Sequence, residues 1–205
     1  MKVAVISDVH GNLLALEAVL EDIARQGIDA TVALGDFRSG PFDPAGVADR
    51  LMGLGLPSVR GNHDRFITDG RENDWHIDAL VRATLDARQH EWLASVPVTQ
   101  VFSGEVFLCH GTPRDDNTGW MDGFVGNIVT LLPQERIEAE AAGFDYPVLL
   151  CGHTHAPRSV RLRDGRLVVN PGSVGLPFEM GSPDARYAII EKRGGQWSTQ
   201  LRAIP

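Results

Sequence analysis

Short hydrophobic runs and one amphipathic segment set the pattern of the first third of the chain. Lys2–Ser7 and Thr31–Leu34 are rich in Val, Ala and Ile and are bounded by polar residues, which is typical of buried parallel strands. Between them, apolar residues recur with the 3.6-residue period of a helix over Leu13–Gln26, with Asn12 as its cap and Gly27 as its end. Strand, helix and strand in this order predict a right-handed crossover unit, whose two strand ends lie side by side.

The pattern continues as helix and strand up to residue 95. Ala45–Gly53 is predicted to be a short helix, and Leu56–Arg60 is predicted to be a third strand that leads into the tetrapeptide Gly61-Asn62-His63-Asp64. Residues 65–95 begin as a polar, irregular stretch up to Asn73 and continue as two helices. This region could therefore form a cap over a site at the strand ends.

From Val98 onward the pattern changes to strands. The predicted elements are a hairpin of Val98–Phe102 and Val106–Cys109, a loop over Thr112–Gly126, a helix over Pro133–Ala142, a buried strand over Tyr146–Cys151, and two further hairpins, Ser159–Leu162 with Leu167–Asn170 and Tyr187–Glu191 with Trp197–Ala203. An α/β first half and a strand-rich second half predict an α/β (α+β) fold in which two sheets pack face to face between outer helices. Since no linker or repeat is visible, a single domain over residues 1–205 is expected.

Composition narrows the class of protein. The chain has 205 residues, of which 43% are hydrophobic, and this is enough for one sizeable core. No apolar run approaches the ~20 residues of a membrane span, and the N-terminus enters a strand without a signal-peptide pattern. Two cysteines are too few for a disulfide scaffold, so we expect a reduced, cytoplasmic protein. The net charge of -8, without a basic run, argues against binding to a nucleic-acid backbone by charge alone.

Polar residues that can bind metal ions follow the predicted strands. Five of the seven histidines lie just beyond strands, together with three residues that carry side-chain oxygens: His10, His63, His110, His153, His155, Asp8, Asp36 and Asn62. The set contains no thiolate, which favours ions such as Mn, Fe, Zn, Co or Ni over a structural zinc. These ligands are too many for one ion, and Asp36 is the natural bridge because it lies between the first and third strand ends.

Two pairs of these residues are spaced two apart, namely Asp8 with His10 and His153 with His155. In extended backbone, residues two apart point to the same side, so the side chains of each pair are expected to face one side. Two histidines so placed after a buried strand are the stronger of the two metal signals.

Several features also have a purely structural interpretation. The segment Gly61–Asp64 taken alone could be a turn with an Asx-type hydrogen bond. Arg38 could reach a substrate phosphate or could be a solvated or salt-bridged side chain. The loop Thr112–Gly126 could line a substrate pocket or pack locally, and His76 and His90 are interpreted as surface or packing residues.

The ordered motifs carry a family resemblance. They are Asp8-x-His10, Gly35-Asp36, Gly61-Asn62-His63-Asp64, His110 and Gly152-His153-x-His155, with Asn170-Pro171-Gly172-Ser173 also fitting. In this order they resemble the calcineurin-like metallophosphoesterase superfamily, and more narrowly its small single-domain bacterial and archaeal members. The resemblance implies a four-layer αββα sandwich of two mixed β-sheets flanked by helices, with a site for two metal ions.

The resemblance also implies a role for each site residue. By that pattern the first metal is held by Asp8, His10 and His155, the second by Asn62, His110 and His153, and Asp36 bridges them. His63 is implied to assist the leaving oxygen and Asp64 to orient His63, while Arg38 and Asn62 are candidates for substrate binding. The implied activity is a metal-dependent phosphoesterase, in particular a phosphodiesterase, that hydrolyses small phosphate esters such as nucleotides with a hydroxide activated by two metal ions. Manganese is favoured, and Fe, Zn, Ni, Co and Mg are alternatives.

Three alternatives remain open within this resemblance. They are a dinucleoside polyphosphate hydrolase, a protein serine/threonine phosphatase, and a catalytically silent scaffold of the same fold. The segment after Asp36 lacks the Val-Asp-Arg-Gly continuation of the protein phosphatases, and Asp64 stands where they carry Glu, so both features lower that alternative. Every ligand position is filled and His63 is present, which disfavours the scaffold. The strands of the final hairpin could also support a homodimer.

Overall fold

Two mixed β-sheets form the middle of the fold in the computed structural model, which describes residues 1–70, 76–126, 128–178 and 181–205. The strands are β1 (Lys2–Ile6), β2 (Ala30–Ala33), β3 (Gln100–Phe102), β4 (Val106–Leu108), β5 (Asp122–Val125), β6 (Ile128–Leu131), β7 (Val148–Leu150), β8 (Arg158–Arg161), β9 (Leu167–Asn170), β10 (Ala185–Arg193) and β11 (Gln196–Ile204). The helices are α1 (Leu13–Ala24), α2 (Pro44–Leu54), α3 (Asn62–Asp69), α4 (Ile77–Thr84), α5 (Ala87–Ser95) and α6 (Gln134–Ala141).

Each large sheet combines parallel and antiparallel neighbours. The first has the strand order β11-β10-β1-β2, in which β1 is parallel to β2 and antiparallel to β10. The second has the order β3-β4-β7-β9-β8, in which β4, β7 and β9 are parallel. The strands β5 and β6 form a separate two-stranded hairpin. The parallel pairs bring the carboxyl ends of β1 and β2, and of β4 and β7, to one edge of each sheet.

Alternation along β1 explains why this strand is apolar throughout. Val3 and Val5 face the second sheet and belong to the buried cluster between the sheets, whereas Ala4 and Ile6 belong to the cluster beneath the helices. Both faces of the strand are therefore buried, as in other parallel sheets covered on both sides. Each fully buried Val or Ile side chain of this kind contributes about 1.5–3 kcal/mol to folding.

Helices cover the outer faces of both sheets. On the first sheet, Leu16 and Val19 of α1 pack in one buried cluster with Tyr187 and Ile189 of β10. On the second sheet, Ile137 of α6 belongs to the cluster that contains Leu149 of β7 and Val168 of β9. The order helix, sheet, sheet and helix confirms the predicted αββα sandwich.

The crossover from β1 to β2 is confirmed, with a small correction at the end of its helix. Oδ1 of Asn12 accepts a hydrogen bond from the backbone N–H of Ala15 at 3.1 Å, so the predicted cap is present. The helix ends at Ala24 with Arg25 as its cap, before the predicted Gln26. Gly27 adopts a left-handed φ of 62° just beyond, where a glycine is conformationally suited.

The predicted third strand is not a strand. Residues 56–60 form a single parallel bridge, in which the N–H of Ala33 donates to the Pro57 carbonyl and the N–H of Val59 donates to the Ala33 carbonyl, both at 3.0 Å. Pro57 has no N–H to extend the ladder, and the N–H of Arg60 donates to the carbonyl of Pro97 at 2.9 Å instead. The segment therefore leaves the sheet after one bridge.

Two other predictions are wrong in detail. Residues 62–69 form helix α3, although 65–73 was expected to be irregular, because the Asp64 carboxylate accepts from the N–H of Gly61 at 3.0 Å and caps the first turn. Residues 71–75, in the predicted cap region, lie outside the described residues. Residues 122–125 and 128–131 form the strands of the β5–β6 hairpin, where a loop was expected up to Gly126.

Two large side chains of the predicted loop Thr112–Gly126, Trp120 and Met121, pack into the interior. Trp120 and Met121 are each 1% exposed, and Nε1 of Trp120 donates to the carbonyl of Ile137 at 3.0 Å. Local packing is therefore the correct interpretation for these two side chains. His76 is exposed, and His90 lies 3.1 Å from the carbonyl of Arg82, as expected of surface residues.

Both thiols are free and buried. Cys109 and Cys151 follow β4 and β7 directly, and burial raises the pKa of each thiol above its usual range. A thiol of this kind behaves as a small apolar residue. Within the described ranges, no helix is both long and apolar enough to cross a bilayer.

Candidate metal centre

Seven side chains meet at the carboxyl ends of the central strands. They form two groups of three, in each of which the possible ligand atoms lie within 4.8 Å of one another, namely Asp8 with His10 and His155, and Asp36 with His110 and His153. The seventh is Asn62, whose Oδ1 lies 3.1 Å from Nε2 of His110 and 3.0 Å from Nδ1 of His153. The structure thus brings together all seven residues that the sequence motifs proposed as ligands.

The first group directs two imidazole nitrogens at a carboxylate. Nδ1 of His10 lies 2.6 Å from the carbonyl of Ser39, and Nδ1 of His155 lies 2.7 Å from the carbonyl of Leu176. Because a carbonyl only accepts, each Nδ1 carries a proton, so Nε2 is the nitrogen through which either ring, when neutral, could bind a cation. These two Nε2 atoms are 3.0 Å apart, a contact that a cation between them would relieve.

The carboxylate in this group has an unpaired oxygen. Oδ2 of Asp8 accepts from the Ser7 hydroxyl at 2.5 Å and from the N–H of His153 at 3.2 Å. Oδ1 of Asp8 is buried, and among the described residues it accepts no hydrogen bond of acceptable geometry, although Nε2 of His155 lies 3.3 Å away. A buried carboxylate oxygen without a partner is costly unless a cation binds it. The group therefore fits a divalent metal ion.

The second group has the same character. Nδ1 of His110 donates to the carbonyl of Leu34 at 2.6 Å, and Nε2 of His110 faces Oδ2 of Asp36 at 3.1 Å and Oδ1 of Asn62 at 3.1 Å. Burial lowers the pKa of His110, but the nearby carboxylates of Asp36 and Asp8 outweigh burial and raise this pKa to about 10. The two carboxylates thus stabilise a positive charge near Nε2 of His110, which a proton or a metal ion can provide.

Asp36 belongs to the second group and also approaches the first. Its Oδ1 accepts from the backbone N–H of His63 at 3.0 Å, at the first turn of α3. Its Oδ2 lies 3.1 Å from Nε2 of His110 and 4.0 Å from Nε2 of His10. Burial raises the pKa of Asp36. The positive charge of His110 and the hydrogen bond that His110 donates outweigh burial and hold the pKa of Asp36 well below its usual range. One oxygen is therefore anchored by backbone, and the other faces both groups.

Five of the seven ligand candidates have strained backbone. Among the described residues, the non-glycine positions with positive φ are Ser103 and five ligand candidates: Asp8 (55°), His10 (47°), Asp36 (52°), His153 (68°) and His155 (58°). Such conformations cost of order 1–3 kcal/mol each and persist where the surrounding structure holds them. The expectation of extended backbone is wrong for both spaced pairs. Asp8 and His10 still share one group, but His153 and His155 enter different groups.

His63 stands beside the two groups and is held by a residue that the motifs did not reveal. Its Nδ1 lies 2.9 Å from Oδ2 of Asp78 on α4 and 3.2 Å from the hydroxyl of Ser39. The Ser39 hydroxyl also donates to Oδ1 of Asp78 in a short contact. Burial lowers the pKa of His63, but the hydrogen bond to Asp78 and the carboxylates of Asp36, Asp78 and Asp64 outweigh it, so the pKa of His63 is raised.

Asp64 has a different task from the one expected. Its carboxylate accepts hydrogen bonds from three backbone N–H groups, those of Asp36 (2.8 Å), Phe37 (3.1 Å) and Gly61 (3.0 Å). The expectation that Asp64 orients His63 is therefore wrong. Burial and the neighbouring Asp36 raise the pKa of Asp64 to about 6. Asp64 instead fixes the backbone turn that presents Asp36.

Comparison with known proteins agrees with this geometry. Residues 1–194 match the family model described as the calcineurin-like phosphoesterase superfamily domain. The chain belongs to the calcineurin-like phosphoesterase superfamily. This membership confirms the resemblance of the motifs and the prediction of a metal-dependent phosphoester hydrolase.

Relatives align with this superfamily member over most of its length. Phosphodiesterase YfcE of Escherichia coli (strain K12) is 28% identical over 206 residues, which cover 93% of this chain and 88% of YfcE. An uncharacterized protein of Methanocaldococcus jannaschii is 27% identical over 216 residues, which cover 93% of this chain and 83% of that protein. The crystal structure of a metallophosphoesterase from Sphaerobacter thermophilus has a TM-score of 0.80 and 28% identity, with 100% of this chain and 88% of that chain covered.

Arg38 does not lie where it could bind a substrate phosphate, which was one of the roles that the sequence suggested. Its side chain is fully buried, Nη2 donates to the carbonyl of Gln89 at 3.1 Å, and the guanidinium lies 4.9 Å from the ring centroid of Trp92. Burial lowers the pKa of Arg38 to about 10. Arg38 therefore packs beneath α5. The expectation of a substrate-binding or solvated arginine is wrong, and among the described residues Arg38 forms no salt bridge either.

Two residues near the site were missed by the motifs. Asp78 lies in the first turn of α4, and its sequence context is that of an ordinary acidic residue at a helix start. Ser39 links the two parts of the site, because its carbonyl holds His10 and its hydroxyl contacts His63. A serine three residues after Asp36 carried no signal that would have singled it out.

Proposed function

We propose that this phosphoesterase is a dinuclear metal-dependent phosphodiesterase that acts on small phosphate esters, including nucleotides. The observation that carries the proposal is the position of Asp36, whose Oδ2 lies 3.1 Å from Nε2 of His110 and 4.0 Å from Nε2 of His10. In this position Asp36 would be the ligand that the two ions share, as the family resemblance implies. In this proposal residues 1–205 act as a single domain.

The proposed ligands divide into two sets around this bridge. Asp8, His10 and His155 would hold the first ion, and Asn62, His110 and His153 would hold the second. When bound, two divalent ions supply positive charge to the phosphoryl oxygens and lower the pKa of water. The two carboxylates Asp8 and Asp36 cancel only part of that charge, so the site attracts a phosphate ester although the protein is acidic overall. The donor set of imidazole, carboxylate and amide oxygen accommodates several divalent ions, of which we propose manganese, with Fe, Zn, Ni, Co and Mg as alternatives.

His63 is proposed to act on the leaving oxygen. Because Nδ1 of His63 is engaged with Asp78 at 2.9 Å, Nε2 is the atom that can hold a proton toward the substrate. Its side chain is 13% exposed, so a substrate can reach it. A general acid in this place typically contributes 10²–10⁴-fold to the rate. Asn62 lies beside the same position and could also contact the phosphoryl group.

The preference for a diester draws support from a relative. YfcE, which is 28% identical and covers 93% of this chain, is named a phosphodiesterase. The relatives reported above give no comparable support to a dinucleoside polyphosphate hydrolase, a protein phosphatase or a silent scaffold. A cytoplasmic location and a homodimer formed through the final hairpin remain predictions.

One experiment tests both the metal content and the reaction. The protein is stripped with EDTA, reconstituted in turn with Mn, Ni, Zn and Mg, and assayed with bis-aryl phosphates, mono-aryl phosphates, nucleotides and cyclic nucleotides. We expect two ions per chain and faster hydrolysis of diesters than of monoesters. The Asp36→Asn variant, measured alongside, should lose both the second ion and the activity. One ion per chain at full activity would contradict the dinuclear proposal, and faster hydrolysis of monoesters would contradict the diesterase.

A further inference from the structure

The segment Gly152–His155 supplies one ligand candidate to each of the two groups. His155 belongs with Asp8 and His10, and His153 belongs with Asp36 and His110. Thr154 stands between the two histidines in the chain. Any displacement of Thr154 would therefore move ligands of both groups together.

Thr154 is held by hydrogen bonds from outside the segment. Its hydroxyl donates to Oδ2 of Asp122 at 2.6 Å and accepts from Nδ2 of Asn170 at 3.1 Å. Nδ2 of Asn170 also donates to the carbonyl of Gly152 at 2.7 Å. The side-chain contacts thus fix the segment at its first residue and at its centre.

Asp122, which accepts the hydrogen bond from Thr154, is itself held rigidly. It is the first residue of β5, and its side chain is fully buried. One carboxylate oxygen accepts from Thr154, and the other accepts from Nε of Arg158 at the start of β8 in a short contact. Since both oxygens are engaged and the charge is balanced by Arg158, the carboxylate is a fixed acceptor and is not free to bind an ion.

The backbone of the segment needs such support. His153 and His155 have left-handed φ values of 68° and 58°, which residues with side chains rarely adopt. Strained conformations of this kind persist only where neighbouring groups determine them. The N–H of Thr154 donates to the carbonyl of Gly152 at 2.8 Å, and the contacts of Thr154 and Asn170 hold that turn against the rest of the fold.

We propose that Asp122 is a positioning residue of the metal centre, which holds His153 and His155 in place through the hydroxyl of Thr154. The inference rests on the proposed ligand roles of these two histidines. It also gives the β5–β6 hairpin a function, because the hairpin places Asp122 against the segment Gly152–His155, which carries one ligand candidate of each group. Asp122 touches neither substrate nor metal in this arrangement and acts only through Thr154.

The test compares metal binding with the stability of the metal-free protein. Thr154→Val removes the hydroxyl and leaves the pair of Asp122 and Arg158 intact, Thr154→Ser keeps a hydroxyl, and Asp122→Asn weakens the acceptor. Thr130→Val is the matched control, because Thr130 lies on the same hairpin and its hydroxyl donates to the carbonyl of Gly123 at 3.3 Å. Mn²⁺ affinity is measured by titration calorimetry on EDTA-treated protein, and Tm is measured with and without Mn²⁺.

We expect Thr154→Val and Asp122→Asn to bind Mn²⁺ about 10–100-fold more weakly, as is usual when a group that supports a metal ligand is removed. Thr154→Ser and Thr130→Val should bind like the wild type. The metal-free Tm of Thr154→Val should match that of Thr130→Val, while the rise in Tm on adding Mn²⁺ shrinks.

Unchanged Mn²⁺ affinity in Thr154→Val would overturn the inference. A lower metal-free Tm together with an unchanged rise on adding Mn²⁺ would also overturn it, because the contact would then support only the fold. A wild-type protein that binds none of Mn²⁺, Ni²⁺, Zn²⁺ and Mg²⁺ would overturn this inference and the proposed function together. If the wild type binds Mn²⁺ and the Thr154→Val and Asp122→Asn variants bind it with the same affinity, only this inference is overturned and the proposed function stands.

Discussion

Nδ1 of His63 lies 2.9 Å from Oδ2 of Asp78, and this contact joins the first turn of α3 to the first turn of α4. Both side chains are largely buried, with exposed fractions of 13% and 3%. Because a carboxylate accepts hydrogen bonds, this contact places a proton on Nδ1 of His63. It also makes α4 part of the site, although no ligand candidate lies on that helix.

The first prediction concerns this pair. Asp78→Asn removes the negative charge that stabilises a protonated His63, so protonation of a poor leaving group should slow. We expect a rate loss of about 10²-fold or more for alkyl esters and a much smaller loss for nitrophenyl esters, with metal content unchanged. His63→Gln should show the same pattern. Kinetics with a series of leaving groups, together with metal analysis, measure this directly.

Ser39→Ala is the control for this series. It removes the hydroxyl that contacts both His63 and Asp78 but keeps the backbone carbonyl that holds His10. A smaller loss than in Asp78→Asn is expected, because the charge of Asp78 remains. Equal losses across all leaving groups in Asp78→Asn and His63→Gln would argue against proton transfer by His63.

The second prediction concerns the proposed second ion. Oδ1 of Asn62 lies within 3.1 Å of ring nitrogens of both His110 and His153, so Asn62→Ala should weaken the second ion and abolish most activity. Metal content is measured by mass spectrometry after dialysis, and the rate is measured with a diester. Asn117→Ala, in an exposed position, serves as the control. Full metal content with a wild-type rate would refute the ligand role of Asn62.

The sequence predicted the parts of the site that are local to strand ends. Asp8 and His10 follow the apolar run of β1, and His153 follows the apolar run of β7, so the hydrophobic pattern alone located them. Asp, Asn and His are also the residues that adopt left-handed backbone more often than others, which agrees with the positive φ values at these positions.

The parts that depend on the approach of distant segments were not predicted. Asp78 reaches His63 only because α4 folds back against α3, and the spacing of 15 residues gives no periodic signal for this. The burial of Arg38 depends on Gln89 and Trp92 of α5, about 50 residues further along. Asp122 was not predicted, because the Gly- and Asp-rich sequence around it has the pattern of a loop and not of a hairpin. Such contacts are set by tertiary packing, which local propensity does not encode.

The third prediction concerns removal of the metal ions. In the metal-free protein, buried ring nitrogens lie close to Oδ1 of Asp8, which accepts no hydrogen bond from the part of the chain that the structure describes, so EDTA should lower the Tm. One ion at 100 times its Kd adds about 2.7 kcal/mol to the free energy of unfolding. In a domain of this size that amounts to roughly 5–11 °C of Tm. Calorimetry before and after adding Mn²⁺ tests this, and an unchanged Tm would mean that the site does not bind the ion tightly.

The fourth prediction concerns acid stability and a carboxylate far from the metal centre. Asp22 of α1 is largely buried, and its Oδ2 accepts from the hydroxyl of Tyr187 at 2.5 Å and from Nε of Arg202 at 2.9 Å. Burial raises the pKa of Asp22, but the hydrogen bonds from Tyr187 and Arg202 outweigh it, so the pKa is lowered below its usual 3.8. The ionised form is therefore favoured by folding. Its stabilising contribution is complete above pH 3.8 and is lost as the pH falls through the lower pKa of the folded state.

Asp22→Asn should therefore lower the free energy of unfolding at pH 7 by about 1–3 kcal/mol, and the difference from wild type should shrink below pH 3.8. Urea denaturation of the EDTA-treated proteins at pH 7 and at pH 3 measures both differences without interference from metal release. Tyr187→Phe is the control, because it removes one donor to Asp22 and should reduce the pH-dependent difference only in part. A difference between Asp22→Asn and wild type that stays constant from pH 7 to pH 3 would show that the charge of Asp22 does not stabilise the fold.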